Sequence, residues 1–126
     1  MEQIIKIENL HQEFDGRVVL NDINLEIHKG QIVTIIGPSG SGKSTLLRSI
    51  NLLNKPTSGN IYYHDEEIIN NKNKHTYYRS KIGMVFQSYN LYNNYNVLDN
   101  CTLGPRKVLK LNRKEAEQRA KEYLEM

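Results

Sequence analysis

Residues 37 to 44 read Gly37-Pro38-Ser39-Gly40-Ser41-Gly42-Lys43-Ser44, two glycines five positions apart followed by a lysine and a serine. That spacing suits the chemistry of holding a polyphosphate. Dense negative charge needs several N–H donors converging on it with no bulky side chain between, and Gly37, Gly40 and Gly42 allow the backbone angles that aim successive amides inward. Pro38, Ser39 and Ser41 complete the loop. Lys43 is placed to reach the outer phosphates, the Ser44 hydroxyl to ligate a divalent cation, and Thr45 to add a further phosphate contact. On average composition, a chain of this length would show the pattern by accident on the order of a few times in a thousand. The competing readings are an ordinary Gly/Ser connection and a dinucleotide loop, and the latter requires a third glycine where Thr45 stands.

The loop needs a strand before it and a helix after it. Ile32-Val33-Thr34-Ile35-Ile36 is a β-branched run with no polar face beyond Thr34, which predicts a central strand covered on both sides. Behind the loop, Leu46, Leu47, Ile50 and Leu53 fall at helical spacing, and Asn54 and Pro56 supply a stop. Ahead of it, Gln3 to Glu8 predicts a half-buried strand, Asp15-Gly16 a turn, and Val18 to Ile27 a second strand with Ile23, Leu25 and Ile27 on one face. Further on, the pattern predicts a short strand at Ile61-Tyr62-Tyr63, a short helix at 76–80, an apolar strand at 82–86 ending at Gln87, and a loop to Asn96. Asn112 followed by Glu115 reads as a helix cap, with Glu115–Arg119 and Glu117–Lys121 supporting the helix behind it.

Composition narrows the class. The chain has 126 residues, 38% of them hydrophobic, and 8 glycines, which fits one globular domain or less. Its net charge of +3 is spread among interleaved acids and bases, so no nucleic-acid partner is expected. The cluster Lys72, Lys74, His75, Arg79 and Lys81 predicts a solvated helix face, and the tyrosines between Tyr62 and Tyr95 lack the regularly interleaved basic residues of a single-strand binder. Cys101 is the single cysteine and predicts no intrachain disulfide. With Glu2 after Met1 and no apolar run of ten residues, neither a signal peptide nor a transmembrane helix is expected.

The sequence around the loop resembles the nucleotide-binding subunit of ABC transporters, from Met1 to Met126. In that family an aromatic residue ahead of the Walker A loop stacks on adenine, and Phe14 in His11-Gln12-Glu13-Phe14-Asp15-Gly16 matches it, with Val19 beside the base. Met84-Val85-Phe86-Gln87 resembles the strand ending in the Q-loop glutamine, which implies that Gln87 senses magnesium and the attacking water. Pro38-Ser39-Gly40-Ser41, Arg48-Ser49-Ile50-Asn51 and the Asn100 to Pro105 stretch are most similar to importers of polar amino acids. Tyr92-Asn93-Asn94-Tyr95 departs from the usual pattern in the loop that meets the transmembrane subunit.

The resemblance implies an α/β fold of the P-loop NTPase, ABC type: an antiparallel β subdomain, part of the parallel core sheet, and the start of the helical subdomain, divided as 1–95 and 96–126. It implies ATP and magnesium as ligands, with Lys43 and Gln87 in catalytic roles and Ser44 and Gln87 at the metal. The implied partners are transmembrane permease subunits and a second nucleotide-binding subunit, at the cytoplasmic face of the membrane. The family's signature loop, the acid pair after a second apolar strand and the switch histidine have no match. His11, His28, His64 and His75 all precede Gln87. A truncated domain without hydrolytic activity of its own is therefore expected, the alternative being a remnant that docks on the membrane subunit without nucleotide. A soluble P-loop kinase is disfavoured by the antiparallel strands ahead of the loop.

Overall fold

The computed structural model describes residues 1–126, which form two compact units, Met1–Gly83 and Met84–Met126. The sequence reading put the division at residue 95.

In the first unit, alternation of apolar residues gives two long strands, β1 (Gln3–Phe14) and β2 (Arg17–His28). They pair antiparallel from Gln3↔His28 to Phe14↔Arg17. Asp15 and Gly16 join them, both with positive φ (50° and 78°), the two-residue turn whose twist matches that of the strands. Ile5, Ile7 and Leu10 of β1 are buried while Asn24 and Glu26 of β2 are exposed, so one side of the pair is wet, as expected. Midway the register slips. Asn9 and Asp22 turn to positive φ (49° and 50°). The Asn9 amide nitrogen donates to Asn24 Oδ1 (2.9 Å) and its side chain to Asp22 Oδ1 (2.7 Å). The Asn9 side-chain bond, and after it one from Asn24 Nδ2 to the same oxygen (3.2 Å), hold the Asp22 carboxyl below its ordinary pKa.

Strand β3 (Ser58–Tyr63) pairs antiparallel with the other edge of β1, Ile61 opposite Ile7, and the two-residue β4 (Glu66–Glu67) completes the order β2-β1-β3-β4. Helix α1 (Lys43–Ile50) and helix α2 (His75–Lys81) accompany this sheet. The core gathers Ile5, Ile7, Leu10 and Leu20 of the long strands with Leu46 and Ile50 of α1, Ile61 of β3, and Ile68, Ile69 and Tyr78.

Tyr78 is fully buried, and a buried phenol needs hydrogen-bond partners. Its hydroxyl donates to Glu66 Oε2 (2.7 Å) and accepts from Asn71 Nδ2 (3.1 Å), and Lys74 Nζ reaches the same carboxylate oxygen at 2.7 Å. The Lys74 and Tyr78 bonds hold Glu66 below its ordinary pKa. The Glu66 bond raises Lys74, and desolvation followed by Glu66 raises Tyr78. The basic cluster is thus less solvated than its sequence implied. Besides Lys74, His75 Nε2 lies 3.0 and 2.9 Å from the carbonyls of Ile68 and Ile69, and Arg79 donates to Leu52 O (2.8 Å).

Two expected strands do not form. Residues 32–36 and 82–86 have no ladder partner, and the sheet is wholly antiparallel, so the expected part of a parallel core sheet is not seen. A buried parallel strand needs hydrogen-bonded neighbours on both edges and cover on both faces. No segment of this chain supplies them, and Ile32, Ile36 and Val85 stand 95%, 90% and 99% exposed.

The second unit is a pair of helices, α3 (Val97–Lys107) and α4 (Arg113–Leu124), preceded by irregular chain. Both begin on asparagine caps: Asn96 accepts from Asp99 N (2.7 Å) and Asn112 from Glu115 N (2.8 Å). Thr102 of α3 and Ala116 and Ala120 of α4 are buried. Arg113 links the helices through Asp99 (3.6 Å). The pairs expected along α4 are replaced by Arg113–Glu117, at 3.1 Å.

Candidate functional site

The phosphate loop lies at the start of α1, and its geometry follows from its glycines. Gly42 caps the helix at φ 98°, the left-handed region that a side chain rarely occupies. A Cβ at Gly42 would also meet Val19 O at 2.9 Å and Val19 Cγ1 at 3.1 Å. At Gly37 a Cβ would fall 2.7 Å from Ser41 Oγ. The loop closes on itself through Ser41 N–H to Pro38 O (3.2 Å), and α1 starts with Leu46 N–H to Gly42 O (2.9 Å). Pro38, Ser39, Gly40, Ser41 and Ser44 face solvent, while Gly37, Gly42, Lys43 and Thr45 are half-buried.

Lys43 Nζ donates to the carbonyls of Gly37 (2.5 Å) and Pro38 (2.8 Å) and lies 3.4 Å from Ser41 Oγ. The ammonium group therefore sits against the loop, at the N-terminus of a helix whose unpaired N–H groups carry partial positive charge. Such a site is made for an oxyanion. No cluster of three or more His, Cys, Asp or Glu side chains is placed to hold a metal ion. Magnesium characteristically takes one or two protein oxygens and leaves its other positions to phosphates and water. The exposed Ser44 hydroxyl, in the first turn of α1, is an oxygen of the type such a site would use.

The hairpin brings Val19 toward this loop. Between Gln12↔Leu20 and Glu13↔Val18 the β1–β2 register slips by one residue, which leaves Val19 as the extra member of a bulge. A bulge bends its strand and re-aims the side chain it carries. Here Val19 and Leu20 stand where a Cβ at Gly42 would meet them, so β2 lies close against the end of the loop. Phe14, the last residue of β1, is 45% exposed, leaving much of its ring open to a ligand.

Gln87 belongs to the second unit and is exposed in irregular chain. Sequence reasoning missed two features of the site's support. Asn51 is buried and donates to Ile82 O, and Thr57 bonds to the strand that bears Phe14. Neither carries a local pattern, since each acts on residues more than thirty positions away.

Residues 20–126 match the family described as ABC transporter. The chain is 50% identical over 107 residues to the glutamine transport ATP-binding protein GlnQ of Geobacillus stearothermophilus, covering 85% of this chain and 44% of that protein. It is 42% identical to the arginine transport ATP-binding protein ArtM of Bacillus subtilis (strain 168), over 96% of this chain and 50% of that one. Among solved structures it superposes on the dimeric post-hydrolysis state of the ATP-binding cassette MJ0796 bound to ADP and Pi. That match has a TM-score of 0.83 and 34% identity over 97% of this chain and 56% of the other. A second match is cbiO1 from Clostridium perfringens, with a TM-score of 0.80, 31% identity, and coverage of 99% and 50%. The chain spans about half the length of the curated relatives it matches. With a complete phosphate loop at the head of α1 and these likenesses along nearly its whole length, the chain belongs to the ABC transporter family.

Proposed function

We propose that this chain binds ATP as part of the energising subunit of an importer of polar amino acids. The observation that carries the reading is the loop itself. Gly37 and Gly42 stand where a side chain would collide, Lys43 is held at the helix N-terminus, and the bulged Val19 ties the loop to the strand bearing Phe14. Phe14 offers a partly open ring for stacking on adenine, with Val19 beside the base. Gly37 to Gly42 and Thr45 embrace the phosphates, and Lys43 neutralises the outer ones. The Ser44 hydroxyl would be the protein's ligand to magnesium, which would supply charge neutralisation at the phosphates. Gln87, at the end of the Met84–Phe86 run, is the residue that in such a subunit would sense the metal and the attacking water.

The match to dimeric cassettes supports a second nucleotide-binding subunit as partner, and the amino acid transport relatives support transmembrane subunits. No helix is long and apolar enough to cross a membrane, which accords with a peripheral position on its cytoplasmic face. Within these 126 residues no acid pair follows a second apolar strand, so the residues present bind and orient the nucleotide without a group to activate water.

Calorimetric titration with Mg·ATP tests the reading. Wild-type chain should bind, and Lys43→Ala should weaken binding by at least tenfold, since a charge-assisted contact to phosphate contributes about 1.5–3 kcal/mol. Equal affinity for both forms would show that the loop does not hold phosphate, and would favour nucleotide-independent docking on a membrane subunit.

A further inference from the structure

We infer that Thr57 is a positioning residue for the base platform, holding Phe14 in register with the phosphate loop. The inference rests on the proposal that Phe14 stacks on the base, and it concerns a residue far from both Phe14 and the loop in sequence. Thr57 precedes β3, and it grips β1 twice. Its N–H donates to His11 O (2.9 Å), and its Oγ1 accepts from Glu13 N–H (3.0 Å). Glu13 is the residue directly before Phe14. Its carbonyl is bound from the other side by Gln12 Nε2 (3.2 Å).

Glu13 is also the β1 residue at which the ladder resumes after the Val19 bulge. On its other edge β1 pairs with β3 as far as His11↔Ser58, and just beyond that pair a side-chain hydroxyl from the segment ahead of β3 serves the Glu13 amide. Gln12 is buried and its Oε1 has no partner. An orphaned buried acceptor disfavours the folded state, so this side chain contributes through its single bond to the Glu13 carbonyl. The peptide units flanking Glu13 are therefore clamped at both the N–H and the C=O.

The clamp also closes a circuit. Thr57 stands at the end of the segment leaving α1, and that segment is anchored by Asn51 to Ile82 O and by Arg79 to Leu52 O. The hairpin touches the start of α1 at Gly42 through Val19, and the chain beyond the end of α1 returns to the hairpin at Glu13 through Thr57. Platform and loop are thus tied at both ends of the helix. A nucleotide has a fixed span between base and phosphates, so stacking contributes only if that separation is held.

Three variants, measured by titration with Mg·ATP and with inorganic tripolyphosphate, test the inference. Thr57 is exposed, so Thr57→Val should fold with an unchanged urea midpoint. It should bind ATP about fivefold more weakly, the scale of one hydrogen bond, with tripolyphosphate affinity unchanged, and Thr57→Ser should restore ATP binding. Phe14→Ala should show the same ligand split, more strongly. If Phe14→Ala weakens ATP while Thr57→Val does not, the inference falls and the platform reading stands. If Phe14→Ala matches wild type, both fall. Equal losses of ATP and tripolyphosphate in Thr57→Val would make Thr57 a general structural support, overturning the inference, as would a wild-type chain that binds neither ligand.

Discussion

Gly42 stands where three demands meet: it caps α1 with a left-handed backbone, it lies against Val19, and it belongs to the phosphate loop. Gly42→Ala must adopt φ near 98° and push a methyl group to 2.9 Å from Val19 O, which is backbone and cannot turn aside. Strain of that kind costs about 1–3 kcal/mol. A lower urea midpoint is therefore expected, together with weaker ATP binding, whereas Gly40→Ala should be milder, because nothing lies within 4 Å of a Cβ there. At this scale the loop was legible in the sequence, since spacing alone places Gly37, Gly42, Lys43 and Ser44. The reason for Val19 was not. Only the register slip beside it shows that a strand residue has been turned toward the loop.

Among the elements, α2 is held by the Glu66–Lys74–Tyr78 group, and its protonation chemistry predicts a pH profile. Glu66 lies below the ordinary 4.5 when folded, through Lys74 and then Tyr78, so its contribution is present above 4.5 and fades as pH falls through the folded value. Glu8, held down by Lys6, and Asp22, held down by Asn9, act in the same direction. Lys74 and Tyr78 are raised above 10.5 and 10.0. Their contributions are complete below about pH 10 and are lost as pH rises through the folded values. Urea midpoints should therefore be level between about pH 5 and 9 and fall on either side. Glu66→Gln should shrink the acid limb, and a limb of undiminished size would remove Glu66 from this role.

The long strands, β3, α1 and α2 could be read from periodicity and turn residues. Helix α3 could not, because Gly104 and Pro105 read as a stop, yet both lie within it. The usable signal was the Asn96-to-Asp99 spacing of a cap. Conversely, 32–36 and 82–86 have strand composition without strand structure, because a β-branched run states a preference that only neighbouring strands can satisfy.

For the whole molecule, that unmet preference has a measurable result. Exposed Ile32 and Ile36, on a segment whose backbone pairs with no other, make a surface suited to association. Light scattering should rise with concentration in the micromolar range, and Ile32→Lys with Ile36→Lys should reduce it. A scattering profile unchanged by both substitutions would place the adhesive surface elsewhere. Such association is a property of these 126 residues, which span about half of the relatives they match.

The two-residue turn at Asp15-Gly16 also bears on time. Strands β1 and β2 adjoin in sequence, and a hairpin with so short a connection closes within about 1–10 μs. Strand β3 must wait for the intervening loop and α1 before it can dock on β1, a closure of longer range and slower onset. Pulsed hydrogen exchange during refolding should protect the β1 and β2 amides before those of β3. During synthesis, the turn carrying the proposed base platform precedes the phosphate loop by some twenty residues, about one to four seconds at ribosomal speeds. The residues of the surface that would greet adenine are thus joined before those of the loop that would hold its phosphates.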